Sequence, residues 1–174
     1  MNQVAKEAQR KFVLDANVFI QSHRHHYAFD IVPGFWKGLL EQHDADLLVS
    51  IDRVKDEVLA GGKGDSLEEW VKTTAPKTLW ASSKDAKIGA TYGEMMNWVQ
   101  ASAHYNDVAK RIFATNADGW VAAYAKVNGL TLVTHEQFDS NKKKEVPLPN
   151  LCQQFGLECI HPFEMLRRLK IKFN

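Results

Sequence analysis

Short apolar runs alternate with segments of helical character along this chain, and no other feature limits its possible folds as strongly. The apolar runs have the length of buried strands, and the segments between them carry apolar side chains at helical spacing. The strand-like runs cover residues 11–14, 47–50, 130–134 and 158–160, and the helix-like segments cover residues 34–42, 51–62, 66–75, 85–105, 117–127 and 162–170. Such alternation is typical of a parallel sheet with helices on both faces. We therefore predict an α/β fold, a three-layer α/β/α sandwich around a central parallel sheet.

The size and composition of the chain suit one globular domain. It has 174 residues, of which 45% are hydrophobic and 25% are charged. We predict a polar N-terminal tail at residues 1–10 and a single domain at residues 11–174. No apolar run reaches the ~18 residues of a membrane helix, the N-terminus lacks the apolar segment of a signal peptide, and two cysteines are too few for a disulfide scaffold. We expect a cytoplasmic protein without a membrane partner.

A carboxylate breaks the first apolar stretch, which reads KFVLDANVFI. Asp15 directly follows the first strand-like run, where its burial would be costly unless a cation or hydrogen bonds compensated the charge. Parallel sheets bind their ligands beyond the carboxyl ends of the strands. Glu136 comes just after the third strand-like run, next to His135, which we expect at an exposed strand end. The two acids therefore mark one edge of the predicted sheet.

Helical spacing adds two further acids. Within residues 51–58 the apolar positions form one helical face, with Glu57 on its flank and Asp56 pointing nearly opposite. Asp118 lies on the buried stripe of its own helix, in the first turn, where the helix dipole also tolerates negative charge. We therefore expect Glu57 and Asp118 to face inward and Asp56 to face solvent.

The four inward acids form one set, Asp15, Glu57, Asp118 and Glu136. Carboxylates at the ends of neighbouring elements would repel one another unless a hard divalent cation lay among them. We therefore predict that these four residues are metal ligands. Asn17, two positions after Asp15, is a candidate for orienting a ligand or a bound water.

The order of these motifs resembles the PIN domain, the metal-dependent nuclease fold of VapC-type toxins. The stretch VLDANVFI is similar to the family's opening strand, which ends in Asp and is often followed by Asn two residues later. VKDEVL and ADGWVAAYA are similar to the second and third acidic motifs. LVTHEQF has the shape of the fourth, Thr-x-Asp followed by Phe, except that Glu136 stands where Asp is usual. The resemblance covers about residues 11–163.

The resemblance implies a PIN-like fold and a metal-dependent endoribonuclease, a toxin-like component of a prokaryotic toxin–antitoxin system. In the family, acids of this pattern hold Mg²⁺ or Mn²⁺ and activate a water that hydrolyses RNA phosphodiesters. The resemblance also implies that the Thr134 hydroxyl supports the metal or its water, and that Asp139 is the alternative fourth acid if Glu136 points away. The implied catalytic and metal-binding residues are Asp15, Glu57, Asp118 and Glu136.

The family resemblance also suggests partners and leaves one alternative open. A cognate antitoxin protein and a homodimer are the protein partners it suggests, beside the RNA substrate. The alternative is a catalytically weak or inactive PIN-like scaffold that binds RNA or protein, and only the Glu136 departure favours it. Metal-dependent RNA cleavage that is lost in Asp15→Asn would separate the two.

Two local clusters are candidates for substrate contacts, because a net charge of +1 gives the chain no overall attraction to RNA. Both follow strand ends on the side where the acids gather. The histidine run at residues 23–26 lacks the partners of a zinc site, which favours a surface or phosphate-contacting role. A purely solvated loop remains open for the lysines. The predicted RNA-contacting residues are Arg24, His25, His26, Lys142, Lys143 and Lys144.

Overall fold

The computed structural model describes residues 12–173 and contains one parallel five-stranded sheet. Its strands are β1 (Phe12–Leu14), β2 (Leu48–Ile51), β3 (Trp80–Ala81), β4 (Thr131–Val133) and β5 (Cys159–Ile160). The helices are α1 (Ala16–Gln21), α2 (Pro33–Asp44), α3 (Asp52–Gly61), α4 (Ser66–Thr73), α5 (Ala86–Ala101), α6 (Asp107–Thr115), α7 (Asp118–Asn128), α8 (Leu148–Gln154) and α9 (Pro162–Arg168). A π-helical turn at Ser22–His26 continues α1, and a 3₁₀ turn at Lys77–Leu79 precedes β3.

The strands lie in the order β3-β2-β1-β4-β5, with every neighbouring pair parallel. Helices cover the sheet on both faces, which confirms the predicted three-layer α/β/α sandwich. β1 is central and fully buried, and its Val13 pairs with Val49 of β2 and Leu132 of β4. The carboxyl ends of β1 and β4 therefore meet at the same edge, which is where Asp15 and Thr134 lie.

The structure has one strand and three helices that the sequence prediction lacks, namely β3, α1, α6 and α8. β3 is only two residues long, too short to produce a period. α1 begins immediately after Asp15, and its apolar Val18, Phe19 and Ile20 resemble a continuing strand in the sequence. The boundaries of the predicted elements agree to within a few residues. Lys11 and the tail at residues 1–10 lie outside the described residues.

A cluster of aromatic side chains packs α1 into the core. Phe19 is buried between Trp70 and Trp80, with ring centroids 6.2 and 5.3 Å away. Trp36 is also buried and packs on Trp70. These contacts hold α1 against the core, and α1 begins directly after Asp15. Over residues 12–173, no helix has both the length and the apolar character needed to cross a bilayer.

Candidate functional site

Three of the four predicted acids converge at the carboxyl ends of β1 and β4. One carboxylate oxygen from each of Asp15, Asp118 and Glu136 lies within 4.8 Å of the other two. Asp15 and Asp118 are buried, and Glu136 is half-buried. In the part of the chain that the structure describes, no other group of three acids, histidines or cysteines is arranged closely enough to share an ion. We refer to these three residues as the acidic centre.

Asp15 is held by hydrogen bonds on both carboxylate oxygens. The backbone N–H of Ala16 donates to Oδ1 at 2.6 Å, so Asp15 caps the first turn of α1. The hydroxyl of Thr134 donates to Oδ2 at 3.0 Å from the end of β4. The two strands therefore fix this carboxylate together, and its orientation depends on their parallel pairing.

Asn17 connects the first and fourth motifs. Its Nδ2 donates to the Thr134 hydroxyl oxygen at 3.0 Å, and its Oδ1 accepts from the backbone N–H of His135 at 3.0 Å. Thr134, oriented in this way, directs its proton toward Asp15. Asn17 is thus linked to the acidic centre through Thr134, and its role in orienting a ligand stays a prediction.

Asp118 and Glu136 each have their own hydrogen-bond donor. Asn116 donates from Nδ2 to Oδ2 of Asp118 at 3.0 Å, while its Oδ1 accepts from the Asp118 backbone N–H at 3.1 Å. The backbone N–H of Leu148, the first residue of α8, donates to Oε2 of Glu136 at 2.7 Å. Each of these two carboxylates therefore accepts a hydrogen bond from a residue outside the acidic centre.

Glu57 borders the acidic centre but is not one of the three converging acids. Its Oε2 accepts from the backbone N–H of Ala117 at 2.8 Å, which ties α3 to the residue just before Asp118. Asp56, the next residue on α3, is exposed, as the helical spacing predicted. Three of the four predicted ligands thus converge, while Glu57 accepts a hydrogen bond at the start of α7 and its role as a ligand stays a prediction.

Asp139 lies away from the centre. It is exposed, and its Oδ1 accepts from the backbone N–H of Asn141 at 2.9 Å. The carboxylate of Glu136 instead reaches Asp15 and Asp118. The extra methylene of Glu136 compared with Asp does not prevent it from joining the centre, so the geometry gives the fourth-motif position to Glu136.

The electrostatics of the centre favour the protonated carboxyl groups. Burial, with the negative charge of Glu136 second, raises the pKa of Asp15 from 3.8 to about 7. Burial and the neighbouring acids raise the pKa of Asp118 well above its usual range, and burial also raises that of Glu136. A divalent cation among these oxygens would reverse this preference, because it stabilises the ionised forms.

A cavity of about 340 Å³ opens beside the centre, between α3 and α7. Its lining includes Glu57, Asn116 and Ala117, together with Arg53, Asp56 and Trp120. The Arg53 guanidinium lies 4.0 Å from the centroid of the Trp120 ring. Sequence reasoning missed Arg53, although it precedes Glu57 by four residues and therefore shares its helical face.

The predicted RNA-contacting residues are all exposed, and they differ in how far other residues already pair with them. Arg24, His25 and His26 are exposed, and Arg24 donates to the carbonyl of Gly61 at the end of α3. Lys142 forms an ion pair with Glu145 at 2.6 Å. Lys143 and Lys144 are also exposed.

The backbone of the lysine loop is anchored to the segment between α5 and α6. His104 Nε2 lies 2.9 Å from the carbonyl oxygen of Lys142, and the Asn106 N–H donates to that of Lys143 at 3.0 Å. The Glu145 carboxylate, through its hydrogen bond with Lys142, raises the pKa of that ammonium group. The loop therefore has a fixed path, and one of its three charges is already paired.

His135 differs from its sequence expectation. It is half-buried, and its Nδ1 lies 3.3 Å from Nε2 of His161. Burial, together with the nearby His161 and His26, lowers the pKa of His135 to about 4, so its ring is neutral at pH 7. The exposed strand end expected for this residue is wrong, because β5 pairs with β4 and brings His161 beside it.

Comparisons with known proteins give the chain a family and a fold. The sequence profile of the family described as "Domain of unknown function (DUF4411)" matches residues 12–173. No curated protein matches the sequence. Among solved structures, the crystal structure of FitAcB from Neisseria gonorrhoeae is similar, with a TM-score of 0.52 and 16% sequence identity over 87% of this chain and 98% of that chain. At this identity the similarity shows a common fold, the PIN-like three-layer sandwich.

Proposed function

The chain belongs to the DUF4411 family, and from the geometry of its acidic centre we propose that it is a metal-dependent endoribonuclease. The observation that carries this proposal is the convergence of Asp15, Asp118 and Glu136 within 4.8 Å at the carboxyl ends of two adjacent parallel strands. Two of these carboxylates are buried, a costly arrangement that a bound cation would compensate.

The donor set fits a hard divalent cation. Three carboxylate oxygens, without sulfur or imidazole among them, suit Mg²⁺ or Mn²⁺ better than zinc or copper. Asp15, Asp118 and Glu136 would hold the ion, and Glu57 would act through Ala117 by fixing the start of α7. When bound, such a cation supplies Lewis-acid stabilisation of the phosphate and lowers the pKa of a water.

The protein's own residues would keep the acidic centre in a fixed geometry. Asn17 and Thr134 orient Asp15, Asn116 orients Asp118, and the Leu148 N–H orients Glu136. Fixed ligands lose little freedom when a cation binds, and partners of this kind tune metal affinity and activity. The acidic centre is thus preorganised for a cation, which would in turn neutralise the charge of a substrate phosphate.

RNA is the proposed substrate, and its support is the resemblance of the four motifs to those of VapC-type toxins. Arg53 adds a cation to the cavity beside the centre, where it would contact a phosphate oxygen. Arg24, His25, His26, Lys143 and Lys144 are exposed and remain proposed contacts at the rim, and Lys142 contributes less because Glu145 already pairs with it.

Three further proposals follow from the same resemblance. The chain from residue 11 onward would act as one PIN-like domain, it would have a cognate antitoxin, and it could form a homodimer. The inactive-scaffold alternative depended on Glu136 replacing Asp. Glu136 reaches the other two acids, so this replacement no longer favours a scaffold over an enzyme.

The test is cleavage of a fluorescently labelled single-stranded RNA with Mn²⁺ or Mg²⁺, and with EDTA as the metal-free arm. We expect cleavage that requires the metal and is lost in Asp15→Asn and Asp118→Asn. Asp44→Asn is the matched control, because it removes an exposed carboxylate at the end of α2. Cleavage that survives EDTA, or both centre variants, would contradict the proposal.

A further inference from the structure

Four aromatic rings form a cluster next to the point where β4 and β5 end. We call this cluster the ring platform; its residues are His26, His135, His161 and Phe163. His26 stacks on His135 with centroids 5.2 Å apart and an interplanar angle of 21°. The edge-on pairs His135–His161 and His26–Phe163 have centroid distances of 4.9 and 6.3 Å. The rings come from three separate segments of the chain and meet only in the fold.

Hydrogen bonds connect the ring platform to the acidic centre. The Phe163 backbone N–H donates to Nδ1 of His161, which leaves the proton of a neutral His161 on Nε2, facing Nδ1 of His135. The backbone of His135 is bonded to Asn17, and the next residue is Glu136. The platform is therefore fixed at the border of the site where a scissile phosphate would bind.

A groove with a basic rim begins at the outer end of the ring platform. Phe163, 42% exposed, is at one end of this groove, which has a volume of about 810 Å³. Leu166 and Ile171 contribute apolar walls, and the rim carries Arg167, Lys170 and Lys172. Within residues 12–173 no carboxylate pairs with Lys170 or Lys172, whereas Arg167 lies 4.0 Å from Glu164. We call this feature the basic groove.

We propose that the ring platform and the basic groove form one binding track for single-stranded nucleic acid that flanks the cleaved phosphodiester. One unpaired base would stack on the exposed face of the Phe163 ring, beside the edge-on ring of His26, and the following phosphates would lie along Lys170 and Lys172. Flat rings next to a positively charged groove are the combination by which proteins bind single strands. The position of the track relative to the scissile bond rests on the proposed nuclease function.

The observations favour a nucleic acid over a protein partner for this surface. An acidic peptide would pair with the lysines, but it would also bring its own carboxylates close to Asp15, Asp118 and Glu136. A single strand supplies a flat base for the platform and evenly spaced anions for the groove. A base-paired duplex has no free base face along its length, so the track should select single-stranded substrate.

The stacking half of the track is tested by binding in EDTA, where cleavage cannot interfere. Fluorescence anisotropy would compare a labelled oligoribonucleotide with a series in which one abasic nucleotide replaces each position in turn. We expect the abasic change at the stacked position to weaken wild-type binding about tenfold. Phe163→Ala and His26→Ala should bind the intact strand about tenfold more weakly, and should no longer distinguish it from the abasic one.

The matched aromatic control is Phe138→Ala. Phe138 is 54% exposed and lines a different cavity, with Trp98 and Tyr105. It should bind like the wild type and keep the abasic penalty. Melting temperatures of all variants should match the wild type, because every substituted ring is exposed.

The charge half of the track is tested by salt dependence. Lys170→Gln and Lys172→Gln should each reduce the slope of log K against log salt by about 0.7, because each removes one cation that would neutralise a phosphate. Lys77→Gln, an exposed lysine in the 3₁₀ turn before β3, is the control and should leave the slope unchanged. Unchanged binding in both Phe163→Ala and Lys170→Gln would overturn the track and leave the groove to a protein partner.

A substrate without a base separates this inference from the nuclease proposal. A strand with abasic nucleotides on both sides of the scissile bond presents the phosphodiester without a ring to stack, so the wild-type protein should still hydrolyse it with Mn²⁺ when the strand is saturating. A wild-type protein that shows the abasic penalty but no metal-dependent hydrolysis would retain the track and refute the nuclease. A protein that shows metal-dependent hydrolysis but no abasic penalty would retain the nuclease proposal and refute the track.

Discussion

The acidic centre and the ring platform lie side by side at the same edge of the sheet, yet they are built in opposite ways. In the acidic centre, Asp15 and Asp118 are buried and are held by short-range donors. In the ring platform, two of the four rings face solvent, and stacking holds the cluster together. Two consecutive residues after β4 belong to different regions. His135 contacts His161, which follows β5, whereas Glu136 lies with the other two acids.

This difference shows how one strand end can serve two kinds of interaction. Buried carboxylates cannot attract a polyanion unless a cation is present, whereas exposed aromatic rings can contact a base at any metal concentration. We therefore expect the two regions to separate in experiments: the centre should govern chemistry, metal binding and pH dependence, and the platform should govern affinity. The following predictions test that separation, beginning with the largest expected effect.

Replacing one acid of the centre should abolish most activity while leaving RNA affinity nearly intact. We expect Asp118→Asn to lower the rate of Mn²⁺-dependent cleavage at least about a hundredfold, since even residues that only orient metal ligands reach that size. Binding measured in EDTA should change by less than about twofold, because the platform and groove are untouched. A variant that loses affinity as strongly as activity would remove the distinction between the two regions.

The metal-free protein should become less stable as pH rises, and Asp15→Asn should remove part of that dependence. The folded pKa of Asp15, about 7, exceeds its unfolded value of 3.8, so its contribution to stability is fully present below pH 3.8 and is lost as pH rises to about 7. At pH 8 in EDTA, Asp15→Asn should therefore be more stable than the wild type by about 2 to 4 kcal/mol. Urea unfolding at pH 4 and pH 8 measures this difference.

The platform provides the contrast for the pH experiment. His26→Ala should follow the wild-type stability profile between pH 4 and pH 8, because it leaves all three acids in place. An Asp15→Asn variant that is less stable than the wild type at pH 8 would mean that the buried carboxylate is compensated by its hydrogen bonds alone.

Added cation should stabilise the folded protein through the acidic centre only. At a concentration one hundred times its dissociation constant, Mn²⁺ should add about 2.7 kcal/mol to the free energy of unfolding. For a domain of this size that corresponds to a rise of roughly 5 to 10 °C in Tm. The increase should be absent in Asp15→Asn and unchanged in Phe163→Ala. A Tm rise that survives Asp15→Asn would place the ion elsewhere.

Much of the acidic centre could be predicted from sequence because its positions follow from local rules. Asp15 and Glu136 come directly after strand-like runs, and Asp118 lies on the apolar stripe of a helix. Parallel pairing of β1 and β4 then brings Asp15 and Glu136 to the same edge. The face of Glu57 was also predictable, but its hydrogen bond to Ala117 was not, because it depends on how α7 packs against α3.

The ring platform escaped prediction because its contacts join distant segments. His135 and His161 are 26 residues apart and meet only because β5 lies beside β4. A signal was present, since each histidine follows its strand directly, and adjacent strand ends place such residues side by side. His26 lies in a π-helical turn that no periodicity reveals, so its stacking on His135 required the structure.

The smallest expected effect separates the lysine loop from the basic groove. Lys142 is paired with Glu145, whereas Lys143 and Lys144 are exposed on a loop with a fixed backbone. We expect Lys142→Gln to leave RNA binding unchanged, and the double change at Lys143 and Lys144 to reduce the salt slope by at most about 1.4, the value for two phosphates of a single strand. Metal-induced Tm rises should be nearly identical in all of these variants, since none of them removes an acid of the centre.

The control for the loop is Lys170→Gln in the basic groove, measured in the same salt series. If the loop and groove lysines contact the same strand, changing both sets should reduce the slope by the sum of the separate effects, because well-separated sites act independently. A loop variant with the wild-type slope would mean that Lys143 and Lys144 are solvated. Outside the acidic centre, the single strand would then contact the protein only at the basic groove and the ring platform, next to the ends of β4 and β5.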